Sequence, residues 1–143
     1  MALLNIGTFK FASTGETRLR EIVYTSTACY WALVTNAKTP SQADNVYSTI
    51  SSFLCATGGY AHQVVGGKAI LSTGAIDAND PDFGTGMVGK FVYLLTGTAG
   101  SPGANDRIIG HYNLDTTVST NVTVNGAIIL DPLGIARFAI ATW

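Results

Sequence analysis

Charge is what this chain has least of. Lysine, arginine, aspartate and glutamate make up 12% of its 143 residues, about half of the ~25% usual in a soluble globular domain. Their place is taken by Thr, Ser, Asn, Gly and Ala, which can lie against another protein with a small desolvation penalty. The eight basic residues are scattered from Lys10 to Arg137 without a run, and the formal net charge is -1. A nucleic-acid partner needs a clustered basic face that displaces counterions, so none is expected. Long apolar runs are missing too. The longest are five or six residues, far short of the ~20 that cross a bilayer as a helix. No basic start followed by an apolar core opens the chain, so the expectation is synthesis and folding in a cytoplasm, with no membrane partner.

Cysteine is scarce, and its two positions point to packing. Cys29 adjoins Tyr30 and Trp31, and Cys55 follows Phe53 and Leu54. Both are expected as small buried hydrophobes, unpaired and without a catalytic role. With this length one domain can bury a core without a metal or a disulfide cage. Residues 19–143 are read as that domain, and residues 1–18 as an N-terminal arm or edge strand.

The chain is organised around residues 90–115. Two apolar runs, residues 91–95 and 108–114, flank TGTAGSPGAND, whose glycines and proline stop any regular element. A hairpin with a long exposed loop of small residues is predicted. Residues 29–35, CYWALVT, are apolar at both parities and predict a central strand, with Trp31 and Leu33 on one side and Tyr30, Ala32 and Val34 on the other. Residues 19–25 alternate as a half-exposed strand, and residues 3–11 as a weaker one. Apolar spacing over 42–54 predicts a short helix or turn at 41–48, with a strand at 49–55 as the rival. Residues 61–65, AHQVV, read as a short strand between Gly58-Gly59 and Gly66-Gly67, and residues 68–72 as another strand. Residues 74–89 read as an acidic surface loop anchored by Phe83 or Met87. Val118, Val122 and Val124 alternate with polar residues, Asn125-Gly126 is a hairpin-turn signal, and residues 127–130 and 135–143 are further apolar stretches. About eight short strands with glycine-rich connections and at most one short helix predict an all-β fold, a β-sandwich of jelly-roll type.

Reacting groups are sparse. Asp77, Asn79, Asp80 and Asp82 are the densest oxygen donors, but the spacing lacks the glycine and glutamate of an EF-hand, so a solvated turn is expected. His62 and His111 have no partner at metal-ligand spacing. Gly84 to Gly89 matches G-x-G-x-x-G without a preceding strand or following helix, and is read as loop. Neither catalysis nor a cofactor is expected.

An apolar strand ending in Ala32-Leu33-Val34-Thr35, the Thr39-Pro40 loop, the Gly58-Gly59-Tyr60 turn, the strand at 90–95, Ile109-Gly110-His111-Tyr112-Asn113-Leu114-Asp115 and Asp131-Pro132-Leu133-Gly134-Ile135 resemble, in that order, the head decoration or cement proteins of tailed bacteriophages and related jelly-roll fibre modules. The resemblance spans about residues 19–140. It implies a homotrimer on the outside of a virion capsid, bound to the major capsid protein and tightening the shell. Partner contacts would come from Leu4, Ile6, Phe9 and Phe11 of the arm and from Trp143 at the end. Trp31 is either an interface anchor or a core residue. The alternative is a tail-fibre or carbohydrate-binding module in which Tyr60, Tyr112 or Trp31 stacks on a sugar.

Overall fold

A strand that is apolar on both sides has to lie between two layers, and Cys29–Val34 (β2) does, with all six residues buried. The structure is a computed structural model that describes residues 4, 6–7, 9–15, 28–70 and 76–128. Along its whole length β2 pairs antiparallel with Phe91–Thr96 (β7), Cys29 opposite Thr96 and Val34 opposite Phe91. In turn β7 pairs with Ile108–Asn113 (β8), so the predicted central hairpin forms. Lys10–Phe11 (β1) joins β8, and Gln63–Val64 (β3) joins β2. The result is one five-stranded antiparallel sheet in the order β1-β8-β7-β2-β3. Two smaller antiparallel sheets pair Ala69–Ile70 (β4) with Ile76–Asp77 (β5), and Asp82–Gly89 (β6) with Val122–Ala127 (β9).

The period of two along β2 divides the interior. Cys29, Trp31 and Leu33, with Val92, Leu94, Ile109 and Tyr112, face one core, closed by Phe83 and Met87 of β6 and by Val124 of β9. Tyr30, Ala32 and Val34, with Tyr93, Leu95 and Ile108, face the other. An irregular layer closes that second core through Tyr47 and Ile50, on and between two 3-10 turns, Tyr47–Thr49 and Ser51–Phe53. The protein is thus all-β, a sheet sandwiched on both faces, as expected. The described strands do not by themselves spell the paired Greek keys of a jelly roll.

Three local expectations are corrected. Residues 82–89 form a strand within the expected acidic loop. Phe83 and Met87 are both buried on its inner side, but two register shifts break the alternation, and Gly84 and Gly86 sit there at φ +98° and +76°. A bulged strand rich in glycine looks like a loop in one dimension. Asn125-Gly126 is not a hairpin turn but lies inside β9, where Asn125 opposes Thr85 and its Oδ1 accepts the Gly86 N–H at 2.8 Å. The short helix or turn at 41–48 is realised as turn, and the rival strand at 49–55 gives way to the 3-10 turns, since Ser, Thr and β-branched residues hold a single turn better than an α-helix. The expected strands at 19–25 and 135–143 lie outside the described residues.

Strand β1 docks so closely that Gly110 of β8 has no room for a side chain. A β-carbon there would overlap the Lys10 carbonyl oxygen and come 2.6 Å from the Phe9 ring. Gly110→Ala is therefore expected to cost about 1–3 kcal/mol by overpacking. A lowered urea midpoint with an unchanged slope would show it, whereas an unaltered midpoint would mean that the edge yields freely.

Candidate functional site

The residues with chemical potential are used inside the fold. His111 is buried, stacks on the Tyr93 ring at 5.0 Å and meets Phe91 edge to face at 5.7 Å. Burial, helped by the Lys10 charge and opposed by Asp44, lowers its pKa to about 4, so it is a neutral core residue at pH 7. Cys29 and Cys55 are buried and not joined in a disulfide. Burial pushes the Cys29 thiol up, against the opposing pull of Lys68, whose Nζ lies 3.7 Å from the sulfur. The Asp82 carboxylate accepts the Gly84 N–H at 2.9 Å, an Asx turn. Among the described residues no group of three His, Cys, Asp or Glu is placed to hold a metal ion.

The predicted partner residues pack on their own chain. Phe9 is 0% and Trp31 1% exposed. The Phe9 ring meets Tyr112 at 4.9 Å and Phe11 at 5.0 Å, both edge to face. Leu4, Ile6 and Phe11 are half-buried against the same core. These side chains, with the β1–β8 pairing and the Gly7 and Ala12 N–H bonds to Asn113 and Ile109, dock the described part of the arm as an edge. Trp143 lies outside the described residues. Tyr112 is buried as deeply as Trp31, and neither offers a ring face to a sugar.

What the fold does present outward is the outer face of the β6–β9 sheet. Asp82 opposes Ala127, Thr85 opposes Asn125 and Val88 opposes Thr123, and all six are exposed. Residues 116–120, Thr-Thr-Val-Ser-Thr, are exposed and run straight into β9. Val88 and Val118 are 37% and 42% exposed, and Asp82 carries the face's one charge.

Buried polar groups hold this surface in shape. Lys90, 3% exposed, donates from Nζ to the carbonyls of Asp115 and Val118. Burial lowers its pKa, and the Asp115 charge works against that shift. The Asp115 carboxylate accepts the Thr117 N–H at 2.9 Å and the Thr117 hydroxyl. Asn36 donates its N–H to Asn121 Oδ1 at 2.7 Å and its side-chain amide to the Ser119 carbonyl at 3.3 Å. A loop fixed in this way loses little further entropy on contact with a partner. The hairpin loop between β7 and β8 is fixed likewise. Asp106 accepts the Gly103 N–H at 2.9 Å, and its carbonyl and that of Ala104 accept the N–H groups of Tyr47 and Ser48. Exposed there are Thr98, Gly100, Ser101, Gly103, Ala104 and Asn105.

Sequence reasoning missed this face because half of it lies on β6. The outward alternation Thr123, Asn125, Ala127 was the available signal.

Two outcomes are expected. Lys90→Met leaves buried carbonyls without their donor, at about 1–3 kcal/mol, and speeds amide exchange at Thr117 while the β7 and β8 amides hold. For His111, whose folded value lies below the ordinary 6.5, stability is complete above pH 6.5 and falls as pH drops through about 4. The loss is about 3 kcal/mol at most, and urea titrations of His111→Phe at several pH values should lack that component.

Comparison with protein-family models, with curated proteins and with solved structures finds no match to this chain.

Proposed function

We propose that this protein is a structural subunit of a phage-type virion, a decoration or cement protein that lies on the outer surface of the capsid and stabilises it. The carrying observation is the outer face of β6–β9 with its adjoining loop, where Thr85, Val88, Thr123, Asn125, Ala127 and residues 116–120 carry no charge. Burying such a face against a protein shell costs little desolvation, whereas a typical charged surface would have to pair or strip each ion. The loop is already fixed by Lys90 and Asn36, so contact demands little ordering. A scattered basic set favours the major capsid protein over the packaged genome as partner. Self-association as a homotrimer belongs to the same reading, and no catalytic step is assigned.

Purified protein is expected to co-sediment with expanded capsids of the particle that carries it, to raise their melting temperature, and to sediment alone as a trimer. The double variant Val118→Asp, Thr123→Asp should weaken capsid binding at least tenfold, with its own urea midpoint nearly unchanged because both positions are exposed and are not cross-strand partners. Binding to host polysaccharide without binding to capsids would replace this reading with the tail-fibre one.

A further inference from the structure

Polar aromatic side chains from three separate stretches meet at the outer edge of β2. His62 stands over the Tyr30 ring at 5.1 Å and meets Tyr47 and Tyr60 edge to face at 5.9 and 5.5 Å. Its Nδ1 lies 2.9 Å from the Tyr60 hydroxyl and its Nε2 3.3 Å from the Tyr47 hydroxyl. The Tyr60 hydroxyl also accepts the Leu33 N–H of β2 at 2.8 Å. Strand β3 pairs only with Tyr30 and Trp31. Beyond it the Leu33 amide is closed by a phenol, in a place where a sheet would ordinarily put a neighbouring strand.

Proton counting favours one direction for each bond. With the Leu33 N–H already directed at it, the Tyr60 oxygen turns its own proton toward Nδ1. A neutral imidazole that accepts at Nδ1 carries its proton on Nε2 and donates it to Tyr47. The Leu33 N–H, the Tyr60 hydroxyl and both ring nitrogens are then satisfied. An imidazolium would donate from both nitrogens, leaving Tyr60 facing two donors with its own proton turned toward the core.

We propose that His62 is a proton-operated latch, which when neutral holds residues 57–64 against β2 and the first 3-10 turn, and when protonated releases them. The titratable groups around it are Tyr30 from β2, Tyr47 from the 3-10 turn, Tyr60 from its own stretch, the Cys55 thiol beside Tyr60, and Asp106 of the hairpin loop beside Tyr30 and Tyr47. Burial holds the imidazole below its ordinary value. Burial likewise holds the three phenols above theirs, so the tyrosines stay protonated throughout. The latch is therefore closed above pH 6.5 and opens as pH falls through the lowered His62 value. Opening frees the Leu33 N–H, while the Leu33 carbonyl keeps the Cys55 N–H and Val34 keeps its bridge to Leu54, a switch that the assembly reading does not require.

The test is an NMR titration of the full chain from pH 7.5 to 4.5, following the His62 ring nitrogens and amide exchange corrected for its intrinsic pH dependence. The expected result is a neutral ring protonated on Nε2, with a midpoint below 6.5. Exchange at Leu33 and Val65 should rise at least tenfold across that midpoint while Leu94 stays protected. Tyr60→Phe should move the midpoint back toward 6.5 and make Leu33 exchange fast at every pH. His62→Phe should make it independent of pH, and if that variant does not fold, Tyr60→Phe alone decides. A neutral ring protonated on Nδ1, or exchange at Leu33 and Val65 that stays flat through the titration, overturns the proposal.

Discussion

Six consecutive buried side chains on β2 impose the architecture. A strand with no solvent face has to be covered twice, and the neighbouring β7 and β8 share that requirement. The two covers are unequal. One is the regular β6–β9 pair, which contributes Phe83, Met87 and Val124. The other is irregular chain, in which Tyr47 and Ile50 supply the apolar contact and the carboxylate of Asp44 ties the loop by accepting from Lys38 Nζ at 2.9 Å and Ser41 N–H at 2.7 Å. Polar atoms are enclosed in this arrangement. The hydroxyls of Tyr30 and Tyr93 and the Trp31 indole N–H are buried without a hydrogen-bond partner among the described residues, and each takes some stability away.

Four ionisable groups among the described residues serve as fasteners. Lys90 holds residues 115–118, Asp106 shapes the hairpin loop, Asp44 closes the loop after β2, and His62 ties residues 57–64 to the sheet edge. Each exchanges solvation for directed bonds to loop backbone or side chains, which makes the loops rigid without strands. The same use of charge explains the outside. With Lys90 and Asp44 turned inward, the surface of β6–β9 and its adjoining loop is left, apart from Asp82, to Thr, Ser, Asn, Ala and Val. A low charge content and well-fixed loops are thus two views of one economy.

That outside suits repeated, weakly solvated contact with a protein lattice. Area alone does not confer affinity on such a face, but prior rigidity reduces the entropy that binding must overcome. The His62 cluster acts at the β3 edge, and its stretch also reaches β6, where Thr57 Oγ1 accepts the Val88 N–H at 3.2 Å and the Tyr60 ring lies 5.7 Å from Phe83, so release of residues 57–64 would be felt at the border of the β6–β9 face.

Wherever pattern and partner were both local, residues alone specified structure. The hairpin of β7 and β8, the double-sided β2 and the burial of Cys29, Cys55 and His111 follow from apolar parity and turn chemistry, which act over a few residues. Tertiary structure alone decided the rest. Strand β6 reaches across more than thirty residues to β9, and its bulges at Gly84 and Gly86 erase the alternation that would have announced it. Phe9 and Trp31, apolar enough for either a core or an interface, were settled inside by the layer that closed over them. The contact between Tyr60 and Leu33 joins positions 27 apart through one hydroxyl, and no local period records such a bond because only the folded path of the chain brings its two ends together.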